Sequence, residues 1–245
     1  AIDTAMANYI AWLNGTNADK VDASFTADQY IPVDPTALAD LSVKLKDLDT
    51  EVISLEAKRD DLIDRINDLE LDYTKITDTA AAQAVLDTLN ADIKAFIVKN
   101  NNVDCFAEAE KKTLADAQTA IDQAVALADL LEDYNNLIAS LAGIADTRVV
   151  ENMTARADAA KAAAEAAVKA NDEAAIDLAY ANFELFAATV AEYNAAIAAA
   201  AGDDVKTAKV YEAYVILDER KDMVKADQIT DEINIVKETF AAVLA

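Results

Sequence analysis

Asp60-Asp61, Asp172-Glu173 and Asp203-Asp204 are adjacent carboxylate pairs, the one arrangement in this sequence from which acid–base or divalent-cation chemistry could be built. Two carboxylates share acid and base roles only when their surroundings push the pKa values apart. These pairs fall at helix starts or on polar faces, where water and the helix dipole keep both members charged. They therefore read as capping or solvated groups. A tight calcium loop needs alternating oxygen ligands around a glycine turn, and no such pattern occurs. Gly202-Asp203-Asp204 is left as a weak candidate for surface calcium, with Asp203 and Asp204 joined by carboxylates of another chain; no other cofactor is expected.

The chain contains no histidine, the commonest general base and metal ligand. Ser-His-Asp and Cys-His catalysis, haem ligation and Glu-x-x-His di-iron sites are thereby excluded. Phosphate-cradling loops need clustered glycines, whereas Gly15, Gly143 and Gly202 stand alone. The expectation is a protein that is not an enzyme. The single thiol, Cys105, cannot form an internal disulfide. It is expected as a small buried apolar residue, the alternatives being a reactive thiol or a bridge between chains. Asn14-Gly15-Thr16 and Asn152-Met153-Thr154 match the N-glycosylation sequon, as chance alone would allow in such a chain.

The balance of 46 acidic against 21 basic residues gives a formal charge of -25. Such a surface repels phosphate backbones and anionic headgroups, so nucleic acid is not expected as a partner. It suits solubility, loose cation binding or an extracellular setting. The longest uncharged apolar run, Tyr193 to Ala201, is short of the roughly 18 residues a membrane span needs, and Asp203 and Asp204 close it. No transmembrane segment is expected.

Whatever the surface does, helices must position it. Three glycines, two prolines and 54% apolar residues weighted towards alanine favour helix over strand and turn. Residues 1 to 14 read as a short helix bearing Tyr9, Trp12 and Leu13, stopped by Asn14-Gly15. Periodicity disappears from Thr16 to Asp34; Pro35 then occupies the first turn of a long helix, where its missing N–H costs nothing.

From Leu38 a heptad can be counted. The a positions are Leu38, Leu45, Val52, Arg59, Ile66 and Tyr73, and the d positions are Leu41, Leu48, Leu55, Leu62, Leu69 and Ile76. This spacing predicts a coiled-coil helix over 38–76. Val43, Ile53, Ile63 and Leu71 form a weaker stripe beside it. Arg59 is the one polar seam residue: its stem suits the seam while its head reaches Glu56 or Asp60. It is either a register-setting residue or a contact to a partner. The seam fits an internal bundle or a parallel homodimer, in which Lys44 would oppose Asp49 and Arg65 would oppose Glu70 but Glu51 would oppose Glu56; the internal bundle is preferred.

Further helices are expected over the segments that follow, one of them from Cys105 to Ala142 capped by Asp104, others opening at Asp146 or Thr147, at Asn171, and at Asp203 or Asp204. The organisation reads as an N-terminal helix and linker over 1–35, a long coiled-coil helix with its return helix over 36–102, and an alanine-rich bundle over 103–245. Asp133-Tyr134-Asn135 through Gly143 is echoed at Glu192-Tyr193-Asn194 through Gly202, identical at six of eleven positions. This fits a duplicated hairpin or convergent helix ends, with each glycine left-handed. Tyr180, Phe183, Phe186 and Tyr193 share one helix face, a pattern for core contacts.

Around Ala166-Ala167-Val168-Lys169-Ala170-Asn171-Asp172-Glu173-Ala174-Ala175 a helix closes, a polar pair turns the chain, and an alanine-rich helix opens. This stretch resembles the helical hairpins in triple-helix-bundle regions of bacterial surface-layer and wall-associated proteins, over about residues 155–226. The resemblance implies an extended rod of bundles in an extracellular lattice or stalk. The fold class expected is all-α: elongated antiparallel helical bundles with coiled-coil-like packing. The function expected is a structural or interaction module that self-associates at a cell surface. Two alternatives are a membrane-active, pore-forming-like protein using Phe183 to Ala201, and a parallel coiled-coil dimer scaffold.

Overall fold

The structure, a computed structural model, describes residues 35–219 and 225–245. The short helix and linker read over 1–34 lie outside the described residues. Every regular element among the described residues is helical: α1 Pro35–Asn67, a 3-10 turn Tyr73–Lys75, α2 Thr79–Lys99, α3 Glu108–Leu141, α4 Thr147–Ala170, α5 Glu173–Ala199, α6 Asp204–Asp218, a 3-10 turn Ala226–Gln228 and α7 Ile229–Leu244. The fold is all-α. Contacts divide the described residues into two compact units, 35–64 with 93–104, and 65–92 with 105–219 and 225–245.

In the first unit α1 begins at Pro35, as a proline in the first turn should. Leu62, Ile93 and Phe96 are buried, but the apolar seam towards the start of α1 is not. The helix also stops at Asn67, nine residues before the heptad does. Asp68, Glu70 and Asp72 follow it, and negative charge at a helix C-terminus opposes the macrodipole. Asp72 instead turns the chain, accepting from the Thr74 N–H at 3.1 Å. Tyr73 and Ile76, placed by their spacing on the α1 seam, pack in the second unit. Ile76 and Leu69 lie against Leu86, Ala117 and Ile121, and Tyr73 lies against the main core.

In the second unit α3, α4 and α5 pack mutually, and α5 also carries α6 and α7. Nine buried residues on α5, among them Phe183, Phe186, Val190 and Tyr193, make it the hub. The aromatic face read from the sequence is thus core. α4 contributes Val149, Met153, Ala157, Ala164 and Val168, mostly small side chains that bring backbones close. Helix α7 seats Phe240 edge-on to Tyr193, which meets Tyr214 in the same way.

Local chemistry sets the joints. Asp146 caps α4, Asp172 caps α5 and Asp203 caps α6, each through its carboxylate. Asn171, at φ 52°, closes α4 in the left-handed conformation that asparagine tolerates. Gly202 takes the expected left-handed turn at φ 83°, but Gly143 does not. The echoed helix ends also differ at their tyrosines: Tyr193 is buried, whereas the hydroxyl of Tyr134 donates to Asp158 at 2.7 Å. Helix α3 starts at Glu108, not Cys105, with Ala107 as an N-cap that makes no side-chain bond. Cys105 is left exposed before it, which overturns its reading as a buried residue.

Candidate functional site

Two features of the described residues stand apart from ordinary helix packing: a polar network sunk between α4 and α6, and the uncovered seam of α1.

The network is built on α4, where Asn152 and Arg156 are one turn apart and so share a face. Across from them α6 supplies Tyr214 and Asp218. Arg156 Nη1 donates to Asp218 Oδ1 at 2.9 Å and Asn152 Nδ2 donates to Asp218 Oδ2 at 3.2 Å. The Tyr214 hydroxyl closes the set by donating to Asn152 Oδ1 at 2.8 Å. Only 11% of the Arg156 side chain and 19% of the Asp218 side chain meet water. The guanidinium also lies over the Phe186 ring, 4.4 Å from its centroid. Burial, then the charge of Asp218, push the Tyr214 phenol well above its ordinary range, in keeping with its role as donor to Asn152. A groove of about 440 Å³ runs beside the network, floored by Ala155, Ala159, Ala160 and Phe186. Arg156 Nη1, Asn152, Tyr214 and Asp218 satisfy one another, while the buried Arg156 Nε has no hydrogen-bond partner.

At the start of α4, Asp146 accepts from the Arg148 N–H at 3.0 Å and from the Arg148 side chain at 2.7 Å and 3.1 Å. These bonds from Arg148 hold the Asp146 carboxyl below its ordinary pKa. The guanidinium lies 3.8 Å from the Tyr211 ring centroid, over a groove of about 870 Å³. A third groove, about 500 Å³, has Asp133 at its edge; burial, then repulsion from Asp129 and Glu132, raises that carboxyl.

The residues singled out from the sequence are dispersed. Arg59 is half-buried and its head binds Asp60 at 2.8 Å, one of the two acids expected to meet it. Asp61 meets Lys58 at 3.5 Å. Asp203 accepts from the N–H groups of Val205 and Lys206, both at 3.0 Å, so one carboxylate oxygen is engaged in the cap, while Asp204 is exposed in the first turn of α6. Among the described residues no three Cys, Asp or Glu side chains gather as a metal site would require. Asn152, the acceptor of the second sequon, uses its amide nitrogen on Asp218 within a half-buried network, a poor site for a glycan. The sequence reading missed the network altogether; its one local trace is a polar pair, Asn152 and Arg156, on an alanine-rich helix.

One described helix, α5, is long and apolar enough to cross a membrane by length and composition. Core helices of soluble proteins pass the same test, and α5 is the hub of the second unit.

The α1 seam is a different kind of surface. Leu41, Leu45, Leu48 and Val52 are exposed by 52%, 58%, 56% and 50%, although they occupy successive a and d positions. Val43 and Ile53, beside the seam, are exposed as well. The chain matches no protein-family model, and no curated protein or solved structure is significantly similar to it.

Proposed function

We propose that this protein is a non-enzymatic interaction module that acts by self-association, as a component of an assembly at a cell surface. The observation that carries this reading is the uncovered α1 seam. Apolar residues repeated at heptad spacing are costly to leave in water, and such a pattern specifies a helical partner. The acidic charge of -25 supports a soluble module and disfavours nucleic acid. Asp172 and Asp203 are engaged in helix caps, and Asp60 and Asp61 meet Arg59 and Lys58, which leaves Glu173 and Asp204 as exposed members of these pairs. The packed α4–α5 hairpin, most of which falls within residues 155–226, suits the resemblance to triple-helix bundles of surface-layer and wall-associated proteins, and with it an extracellular lattice or stalk.

Light scattering across a concentration series tests the reading. Masses at multiples of 26.2 kDa are expected; a monomer at every concentration refutes self-association. Repeating the series with calcium and with a chelator tests whether Asp203, Asp204 and the other surface acids bridge copies through cations. The membrane-active reading ranks second, motivated by the composition of α5. Because Phe183, Phe186 and Val190 are already buried, insertion would require the second unit to open, and liposome leakage would report it.

A further inference from the structure

We infer that the exposed seam of α1 is a homodimer interface and that the two copies pair antiparallel. The inference rests on the reading of the chain as a self-associating module and names the surface responsible. In an antiparallel pair, a residues of one helix face d residues of the other, while g faces g and e faces e. Setting Leu45 against Leu48 of the second copy also sets Leu41 against Val52, so all four half-exposed seam residues become covered. In that register Lys44, at g, meets Glu51 of the second copy, also at g, and Glu51 in turn meets the second copy's Lys44. Asp49 meets Ser42, and no like charges face each other.

The competing registers are worse. Parallel pairing gains Lys44 with Asp49 but sets Glu51 against Glu56 and brings Arg59 against its own counterpart. Sliding the antiparallel pair by one heptad sets Lys44 against Lys58, and Glu51 and Asp49 each against itself. Charge therefore selects one of the three. The chosen overlap runs from Pro35 to Lys58, so Arg59 falls just outside it. That placement accounts for the single charged residue in an otherwise apolar seam.

The area suits a weak, concentration-dependent dimer. Eight seam side chains of roughly 90 Å² exposed surface each, with the stems of Lys44 and Glu51, approach the ~1,000 Å² that specific interfaces need.

Dimerisation of the full chain, carrying Cys105→Ser to prevent disulfides, is measured by sedimentation equilibrium. Leu48→Glu is expected to abolish the dimer with its circular dichroism unchanged, because Leu48 is more than half exposed. Lys44→Glu and Glu51→Lys are each expected to raise the dissociation constant roughly tenfold, since two attractive pairs become repulsive. The double variant restores it. The parallel arrangement demands the opposite for Glu51→Lys, which would relieve Glu51–Glu56 repulsion and tighten the dimer. Tightening therefore overturns the antiparallel register. Assembly that survives Leu48→Glu overturns the seam but leaves self-association standing. A wild-type monomer at all concentrations, including one whose residues 1–34 cover the seam, removes both.

Discussion

Removing Asp218 tests whether the network between α4 and α6 is structural. Asp218→Ala takes from Arg156 its partner at 2.9 Å and from Asn152 Nδ2 its acceptor at 3.2 Å. Breaking a buried ion pair by deleting one member costs about 3–5 kcal/mol, because the remaining charge stays desolvated. With 11% and 19% of the two side chains still reaching water, and with Arg156 still over the Phe186 ring, the lower end applies, about 3 kcal/mol. For a unit of this size that lowers the melting temperature by roughly 9 °C. Arg156→Met is expected to cost a similar amount, and the double variant only about 1.5 kcal/mol, since no charge is then stranded. Urea unfolding followed by far-ultraviolet circular dichroism gives the three values and their coupling energy. Coupling within about 0.5 kcal/mol of zero would show that the pair is solvated in solution and that the reasoning is wrong.

Asp203→Ala removes the carboxylate that accepts from Val205 and Lys206 and should cost about 1 kcal/mol in the same assay, as lost N-caps do. The Asp146 carboxyl, held below its ordinary pKa by Arg148, contributes stability that is present above the pKa of an unfolded aspartate and lost as pH falls through the folded value. Asp146→Asn should therefore reduce stability at neutral pH and flatten its loss below about pH 4, read as the urea midpoint against pH. Phe240→Ala, at a side chain only 1% exposed, should cost about 3–5 kcal/mol, and hydrogen exchange should show α7 released before α3.

What the sequence makes legible is what local chemistry decides. Pro35 marks the start of α1, Asp146 and Asp203 mark caps, and Gly202 marks a left-handed turn because each acts on its own neighbours. The end of α1 was hidden because Leu69, Tyr73 and Ile76 continue the heptad past the helix; their spacing is kept although their partners are Leu86, Ala117 and the main core. Periodicity counts residues and cannot register where the backbone turns. Cys105 read as buried by its residue type, yet the chain around it precedes α3 and exposes it. The Arg156–Asp218 pair spans 62 residues, and its one local trace, Asn152 and Arg156 on an alanine-rich helix, does not say what faces it. By contrast the a and d positions from Leu41 to Val52 are legible as one stripe, but which surface it faces depends on tertiary packing that heptads do not encode.

Between Met153 and Val168 the buried side chains of helix α4 are Ala157, Ala164 and Ala167, and methyl groups have no rotamers to adjust. Such a face looks nearly the same after sliding along its axis by one turn, so shape alone discriminates poorly between the correct alignment and its neighbours. A slide of about 5.4 Å would carry Arg156 out of reach of Asp218 and leave both charges in the interior without counterions. The network therefore works as a detent: it adds little to cohesion, and it makes every misaligned seating of a smooth rod expensive.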